Sequence, residues 1–391
     1  MTRAIIERVV RELAVLDRPS ASDGERRAAE WLARELGEAG CEARIEEERA
    51  HGGYWWPLGL LNAAAVLAAA ARRRLPSALV GGLAAAAVWD DVSGGRLWFR
   101  RRTLPHRSTW NVIAEAGDPD ARRTLVFIAH HDAAHTGLVF HPEIPRLAMR
   151  RLPRLHAKAK QSVPILYGVF LGPLFVALGG LFGRPGLRRT GAGLALGATA
   201  TMADIGTRSA VAGANDNLSA VGTLVALAHA LREPPVRGLR VILLSTGSEE
   251  SFMEGMQAFG RRHFQRLSPS TTEFVCLECV GSPQLCVVEA EGMLRMRYYP
   301  AAAREELARA GLDAGVELRR GLRTVAATDG LIPLRAGYRV CTLGGVDETK
   351  FPANYHWPTD TPDNLDWSSI EGAVAVCEMF VRRAADRGGQ S

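Results

Sequence analysis

Residues 53–71 read GYWWPLGLLNAAAVLAAAA and carry no charged side chain. Arg72, Arg73 and Arg74 follow, and then a second uncharged run, LPSALVGGLAAAAVW. The arrangement recurs: VPILYGVFLGPLFVALGGLFG at 163–183 leads through GRPGLRR into TGAGLALGATATMADIG. Crossing a bilayer as a helix takes roughly 20 apolar residues. The first and third runs approach that length, whereas the second and fourth are shorter, rich in Ala or Gly, and the fourth contains Asp204. Two pairs of runs predict two hydrophobic, transmembrane hairpins. Each returns the chain to the side it left, so a soluble domain can be interrupted twice without being divided by the membrane. Buried helices, or a hydrophobic lid over the soluble domain, would satisfy the same composition. The spacings Gly168/Gly172 and Gly193/Gly197 permit close helix contact, though such spacing is common by chance.

Outside these runs the pattern alternates between strand and helix. CEARIEEE, TWNVIAEAG, RTLVFIAH, LRVILLST, TEFVCLECVG and YRVCTLGG read as strands. AIIERVVRELAVL, ERRAAEWLARELGEAG, NLSAVGTLVALAHALR, GMQAFGRRHF and SSIEGAVAVCEMFVRRAAD read as helices. Such alternation predicts an α/β fold, a mostly parallel mixed sheet sandwiched by helices, here interrupted by two hydrophobic helical hairpins. The expected organisation has the catalytic domain's amino-terminal part at 1–50 and a hydrophobic hairpin at 51–95. Strands with the first candidate ligand follow at 96–140, a basic segment with the second hairpin at 141–207, and the remainder of the catalytic domain at 208–391.

With 391 residues, 47% hydrophobic and 23% charged, the chain suits one large folded domain with additions. The net charge of +6 is almost all arginine, the only lysines being Lys158, Lys160 and Lys350, and no nucleic-acid motif accompanies it. No nucleic-acid partner is expected. The six cysteines have no disulfide-framework spacing. Cys276 and Cys279 lie three apart on one predicted strand and so point to opposite faces, which argues against a redox pair. A reducing compartment and no secretory signal are the resulting expectations. Basic residues at 96–102 and 146–160 outnumber those at the hairpin tips, which predicts a multi-pass membrane protein with its catalytic domain on the cytoplasmic side. The run 146–160 is also suited to anionic headgroups.

Several predicted strands end in groups that bind metal. VFIAHHDA ends on His130, His131 and Asp132, LLSTGSEES on Glu249 and Glu250, and VCLECVG contains Glu278. VAGANDNLSA sets Asp216 just before a helix, and PANYHWPTD contains His356. Ligands gather beyond the carboxyl ends of strands in an open α/β sheet. Imidazoles and carboxylates collected there suit zinc or a similar divalent ion, and a two-metal site needs one carboxylate to bridge. His135 and His141 are read as ordinary polar residues.

In this order, the motifs resemble the co-catalytic zinc aminopeptidases of the MH clan, whose relatives include glutamate carboxypeptidase and glutaminyl cyclase. The resemblance spans roughly 2–50, 108–137 and 210–385 and omits the hydrophobic insertions. It implies two Zn ions, one held by His130, Asp216 and Glu278, the other by Asp216, Glu250 and His356. It further implies Asp132 as the orienter of His130, Glu249 as general base toward a metal-bridging water, and Tyr355 as a hydrogen-bond donor to the oxyanion. The peptide after the bridging aspartate is often cis in such relatives. Glu278 stands where many of these aminopeptidases have aspartate, which leaves amino- or carboxypeptidase direction open. The implied function is a membrane-anchored zinc-dependent exopeptidase, an aminopeptidase acting on short peptides, with membrane lipid as its other partner. A glutaminyl-cyclase-like acyltransferase needing one metal, and a non-catalytic receptor or scaffold, are the competing readings. The insertion between Asp132 and Asp216 leaves the rim of the expected site, so substrates are expected to arrive near the bilayer surface. Oligomeric state is not legible.

Overall fold

The computed structural model describes residues 2–161 and 167–388. Positions 163–166 of the third uncharged run, and 389–391 of the RGGQS tail, lie outside them.

Among the described residues, nine strands form one sheet: β1 (Glu42–Ala50), β2 (Arg107–Gly117), β3 (Thr124–His130), β4 (Arg240–Thr246), β5 (Thr272–Glu278), β6 (Gln284–Glu291), β7 (Arg297–Tyr298), β8 (Arg319–Thr324) and β9 (Arg339–Val346). Their order is β1-β2-β4-β3-β5-β9-β6-β7, with β8 paired to β6. The central strands β4, β3, β5 and β9 run parallel, so their carboxyl ends share one edge. Alternation along a strand sends successive side chains to opposite faces. On β3, Leu125, Phe127 and Ala129 join one core while Val126 and Ile128 join the other. The first core is covered by α1 (Thr2–Ala14), α2 (Asp23–Glu38), α10 (Ser219–Ala230), α12 (Ala301–Asp313) and α14 (Trp367–Gly388). The second is covered by α11 (Glu254–His263), α13 (Leu331–Arg335) and the base of a separate helical bundle. The fold is therefore mixed α/β with both sheet faces buried, as the alternating sequence pattern predicts.

The bundle comprises α3 (Trp55–Ala70), α4 (Arg74–Val92), α8 (Tyr167–Leu181) and α9 (Pro185–Thr207). Both helical pairs turn back at the same end, where Arg74 Nη2 donates to the carbonyl of Leu181 at 3.4 Å. Glycines permit close approach: a Cβ at Gly172 would lie 2.7 Å from the backbone nitrogen of Ala195, and one at Gly179, Gly180 or Gly191 would lie 2.5 Å from a backbone nitrogen of the facing helix. Short helices α5 (Arg100–Thr103), α6 (Glu143–Arg151) and α7 (Pro153–Lys158) connect bundle and sheet.

In the first pair of runs, the lengths of the apolar helices reverse the sequence expectation. Among the described residues, α4, from the second run, is the one helix long and apolar enough to cross a membrane. The first run yields only 16 helical residues, because Gly52 and Gly53 both take positive φ (64° and 57°) and the helix starts at Trp55. Helical geometry in α4 extends from Arg74 through Asp90 and Asp91, beyond the uncharged stretch.

Candidate metal centre

The carboxyl edge of the sheet gathers the polar residues. His130 is the last residue of β3, Glu278 the last of β5, and Glu249 and Glu250 follow β4 within three or four residues. Asp216 stands ahead of α10, and His356 lies in the loop after β9. All of them line a single cavity, except His130, which reaches the same cluster from beneath. Nε2 of His130 is 3.2 Å from Asp216 Oδ1 and 3.6 Å from Glu278 Oε1. Nε2 of His356 is 3.2 Å from Asp216 Oδ2 and 3.2 Å from Glu250 Oε2. The two oxygens of one carboxylate thus face two different histidines.

Each group is held in place. The far nitrogen of His130, Nδ1, lies 3.2 Å from the carbonyl of Asp132 and 3.3 Å from its Oδ1, so Nε2 is turned into the cluster. Asp132 also accepts from Ser20 Oγ (2.6 Å) and from the backbone N–H groups of Glu249 (3.0 Å) and Glu250 (3.1 Å). It therefore ties the glutamate turn to β3. That turn includes Ser248, Phe252 and Met253 at φ 50°, 69° and 61°, a left-handed conformation that costs non-glycine residues energy. Tyr355 stacks on His356 with ring centroids 3.8 Å apart and faces the cavity. The Asp216–Asn217 peptide is cis.

Three supports were not singled out from sequence. Glu25 of α2 is fully buried and accepts from the N–H of Ala21, Trp110 and Ser248 and from the hydroxyls of Thr109 and Ser248. Gly247 is required beside it, since a Cβ would lie 2.4 Å from Glu25 Oε1. Asp360 accepts from the N–H of Asn215 (2.6 Å) and Asp216 (3.1 Å). Arg18, also fully buried, donates to the carbonyls of Leu13, His131, Ala212 and Gly213. His135 and His141 stay outside the cluster, their rings tilted against Trp55 and Trp357. All six cysteines are free thiols.

Replacing Asp360 with Ala strips the acceptor from two buried N–H groups, at about 1–3 kcal/mol each. We expect a destabilisation of that order by chemical denaturation, with metal affinity falling by roughly 10–100-fold. Unchanged affinity would remove Asp360 from the support of Asp216.

The electrostatics favour cations. Burial raises the carboxyls of Glu249 and Glu250; for Glu249 the charge of His130 opposes this, while Asp329, Glu250 and Glu278 add to it. Glu278 is pushed up to about 7, chiefly by burial. Burial works against the charged form of His356, yet Glu250 and Asp216 hold it up at about 10. Asp216 is lowered despite its burial, because both histidines donate to it. Clustered carboxylates that share protons in this way are the setting in which divalent ions bind. The residues fit that role, since Glu250 Oε1 is buried with no hydrogen-bond partner. His130, Asp216 and Glu250 bring donor atoms within 4.8 Å of one another, as do Asp216, Glu278 and Cys279.

Known structures share this fold. The chain superposes on a Zn-dependent exopeptidase from Parabacteroides distasonis with a TM-score of 0.56 at 13% identity, covering 97% of each chain. An aminopeptidase from Aneurinibacillus sp. strain AM-1 gives 0.57 at 11% identity, covering 98% of this chain and 93% of that one. Porphyromonas gingivalis glutaminyl cyclase gives 0.54 at 12%, covering 98% and 97%. These likenesses establish the zinc-exopeptidase fold. No curated protein sequence matches the chain. Residues 198–381 match peptidase family M28, and that stretch holds Asp216, Glu249, Glu250, Glu278 and His356. Over that stretch, just under half of its length, the chain is thus similar to peptidase family M28.

Proposed function

We propose that the protein is a membrane-anchored dizinc metallopeptidase, an aminopeptidase that hydrolyses short peptides with Glu249 as general base. The observation that carries this reading is the division of Asp216, whose Oδ1 and Oδ2 each lie 3.2 Å from the Nε2 of a different histidine. His130, Asp216 and Glu278 would hold one zinc, and Asp216, Glu250 and His356 the other. Bound there, zinc supplies Lewis acidity toward the scissile carbonyl and toward water.

The chain's own groups do the rest. Glu249 is within reach of the donor cluster, its Oε2 3.9 Å from His130 Nε2, without being needed as a ligand. A buried carboxyl with a raised pKa can take a proton from the attacking water and return it to the leaving amine. Asp132 fixes both the imidazole of His130 and the backbone that carries Glu249. Tyr355 faces the same cavity and is assigned to the oxyanion.

Membrane anchoring is supported by the bundle's surface. Leu60, Leu67, Leu75, Leu79, Leu83 and Leu196 are all more than half exposed, and they stand on helices α3, α4 and α9. An apolar surface of this extent on a helical bundle calls for a partner, and lipid is the one its composition suits. The basic segments at the bundle's base support a catalytic domain on the cytoplasmic side.

Elemental analysis of the purified chain tests the reading, with close to two zinc ions per polypeptide expected. One ion would favour a cyclase-like acyltransferase, and none after metal-replete purification would favour a non-catalytic scaffold.

A further inference from the structure

The cavity over the metal centre does not stop at the catalytic domain. It has a volume of about 430 Å³ and continues along the bundle between Ile205 and Gly193 of α9. At 1.5 Å per residue that stretch is about 18 Å long. Its wall on α9 is Gly193, Leu194, Gly197, Ala198, Thr201 and Met202, of which only Thr201 is polar, whereas Arg323, Thr324, Thr328 and Lys350 line it from β8 and the loops after β8 and β9. Near Asp216 and the glutamates, Phe140, Tyr54 and Phe252 close the wall. At the other end Gly193, Leu194 and Gly197 are exposed on the outside of the bundle.

The glycines explain the shape. Gly172 serves the helix contact that its spacing permits, but Gly168, Gly193 and Gly197 do not. A Cβ added at any of these three would meet nothing among the described residues within 4 Å. Their missing side chains keep open a channel that ends at the donor cluster.

Length and lining together select the occupant. About 18 Å equals roughly five extended residues, so a single natural side chain leaves most of it empty. A peptide of that length would fit, but along α9 it would set unpaired N–H and C=O groups against an apolar wall, which is costly for each one. A hydrocarbon chain has the length and no polar group to satisfy.

We propose that this channel receives a long alkyl chain borne on the carbonyl side of the scissile amide, entering from lipid through the opening at Gly193 and Gly197. The proposal rests on the metallopeptidase reading for its chemistry and on the channel for its substrate class. The chain can be the side chain of an amino-terminal residue or a fatty acyl group without an amine, and the test separates these.

The full-length protein in phosphatidylcholine nanodiscs would be assayed with three p-nitroanilides: alanyl, 2-aminododecanoyl and dodecanoyl. We expect kcat/KM for one long-chain substrate to exceed that for alanyl by at least about tenfold, and which one does so identifies the source. Gly197→Phe should reduce this ratio at least about tenfold, because its ring projects into the channel. Leu67→Phe, on α3 away from the channel, should leave the ratio as it is. Equal kcat/KM for all chain lengths, or a ratio indifferent to Gly197→Phe, would overturn the proposal while leaving the peptidase reading intact. If nothing is hydrolysed, that reading falls and binding decides the channel. A 2-aminododecanoyl hydroxamate with a terminal diazirine should label the tryptic peptide 190–208, and excess unlabelled hydroxamate should suppress it. Labelling spread over the bundle and insensitive to competition would refute the channel by itself.

Discussion

Glu249→Gln is expected to lower kcat by roughly 10²–10⁴-fold while leaving metal content unchanged. The substitution keeps the volume of the side chain and the backbone N–H that donates to Asp132 Oδ1 at 3.0 Å. What it removes is the carboxylate able to accept a proton. His130 and His356 keep their contacts with Asp216, Glu250 and Glu278, so all five proposed ligands persist. Glu250→Gln is the informative contrast. Its Oε2 lies 3.2 Å from His356 Nε2, and the variant should lose metal together with activity. Elemental analysis and steady-state kinetics on the two purified variants therefore separate base from ligand. A kcat reduced less than about tenfold in Glu249→Gln would mean that another group moves the proton.

What could be foreseen follows the range over which each interaction acts. His130, Glu249, Glu250 and Glu278 were legible because each ends or follows an apolar, β-branched run, and buried strands rarely run into charge without a reason. Glu25 and Asp360 were not. Glu25 sits in an amphipathic helix that reads as ordinary, and its role depends on Ser248, 223 positions away. Asp360 lies in a loop rich in turn residues, where a carboxylate is unremarkable. In the sheet, the central strands β3, β4, β5 and β9 announced themselves by continuous apolar sequence. The strand β8 did not: RRGLRT is half arginine, pairs with β6 along one side and meets only a single bridge, Arg323 to Gln161, on the other among the described residues. An edge position of this kind tolerates charge and so loses the pattern. Uncharged sequence also misjudged helix length in the bundle, because two left-handed glycines start α3 late while α4 continues into charged residues.

Arg100→Ala is expected to destabilise the protein by about 3–5 kcal/mol and to lower activity as well, although Arg100 touches none of the donor groups. This arginine is fully buried at the junction between bundle and catalytic domain. Its Nε and Nη2 meet the two oxygens of Asp91, at the end of α4, at 2.9 Å each. Nη1 donates to the carbonyl of Ser251 at 2.6 Å and lies 3.5 Å from Glu254 Oε2. Glu254 in turn accepts from the N–H groups of His51 and Gly52, at the entry to the first hairpin. One guanidinium thus joins both ends of that hairpin to the turn that begins with Glu249 and Glu250. Truncation leaves Asp91 and Glu254 buried without their cation and frees a turn already held in an unfavourable conformation. Lysine should not rescue it, since one ammonium cannot reproduce the paired contact with Asp91 and reach Ser251 as well. Arg100→Met combined with Asp91→Leu removes one charge pair together and should recover part of the stability but not the activity. Chemical denaturation and kcat measured on the three variants decide the matter. A loss below about 1 kcal/mol for Arg100→Ala, the size of an exposed ion pair, would show that the hairpin and the catalytic turn are joined by packing instead.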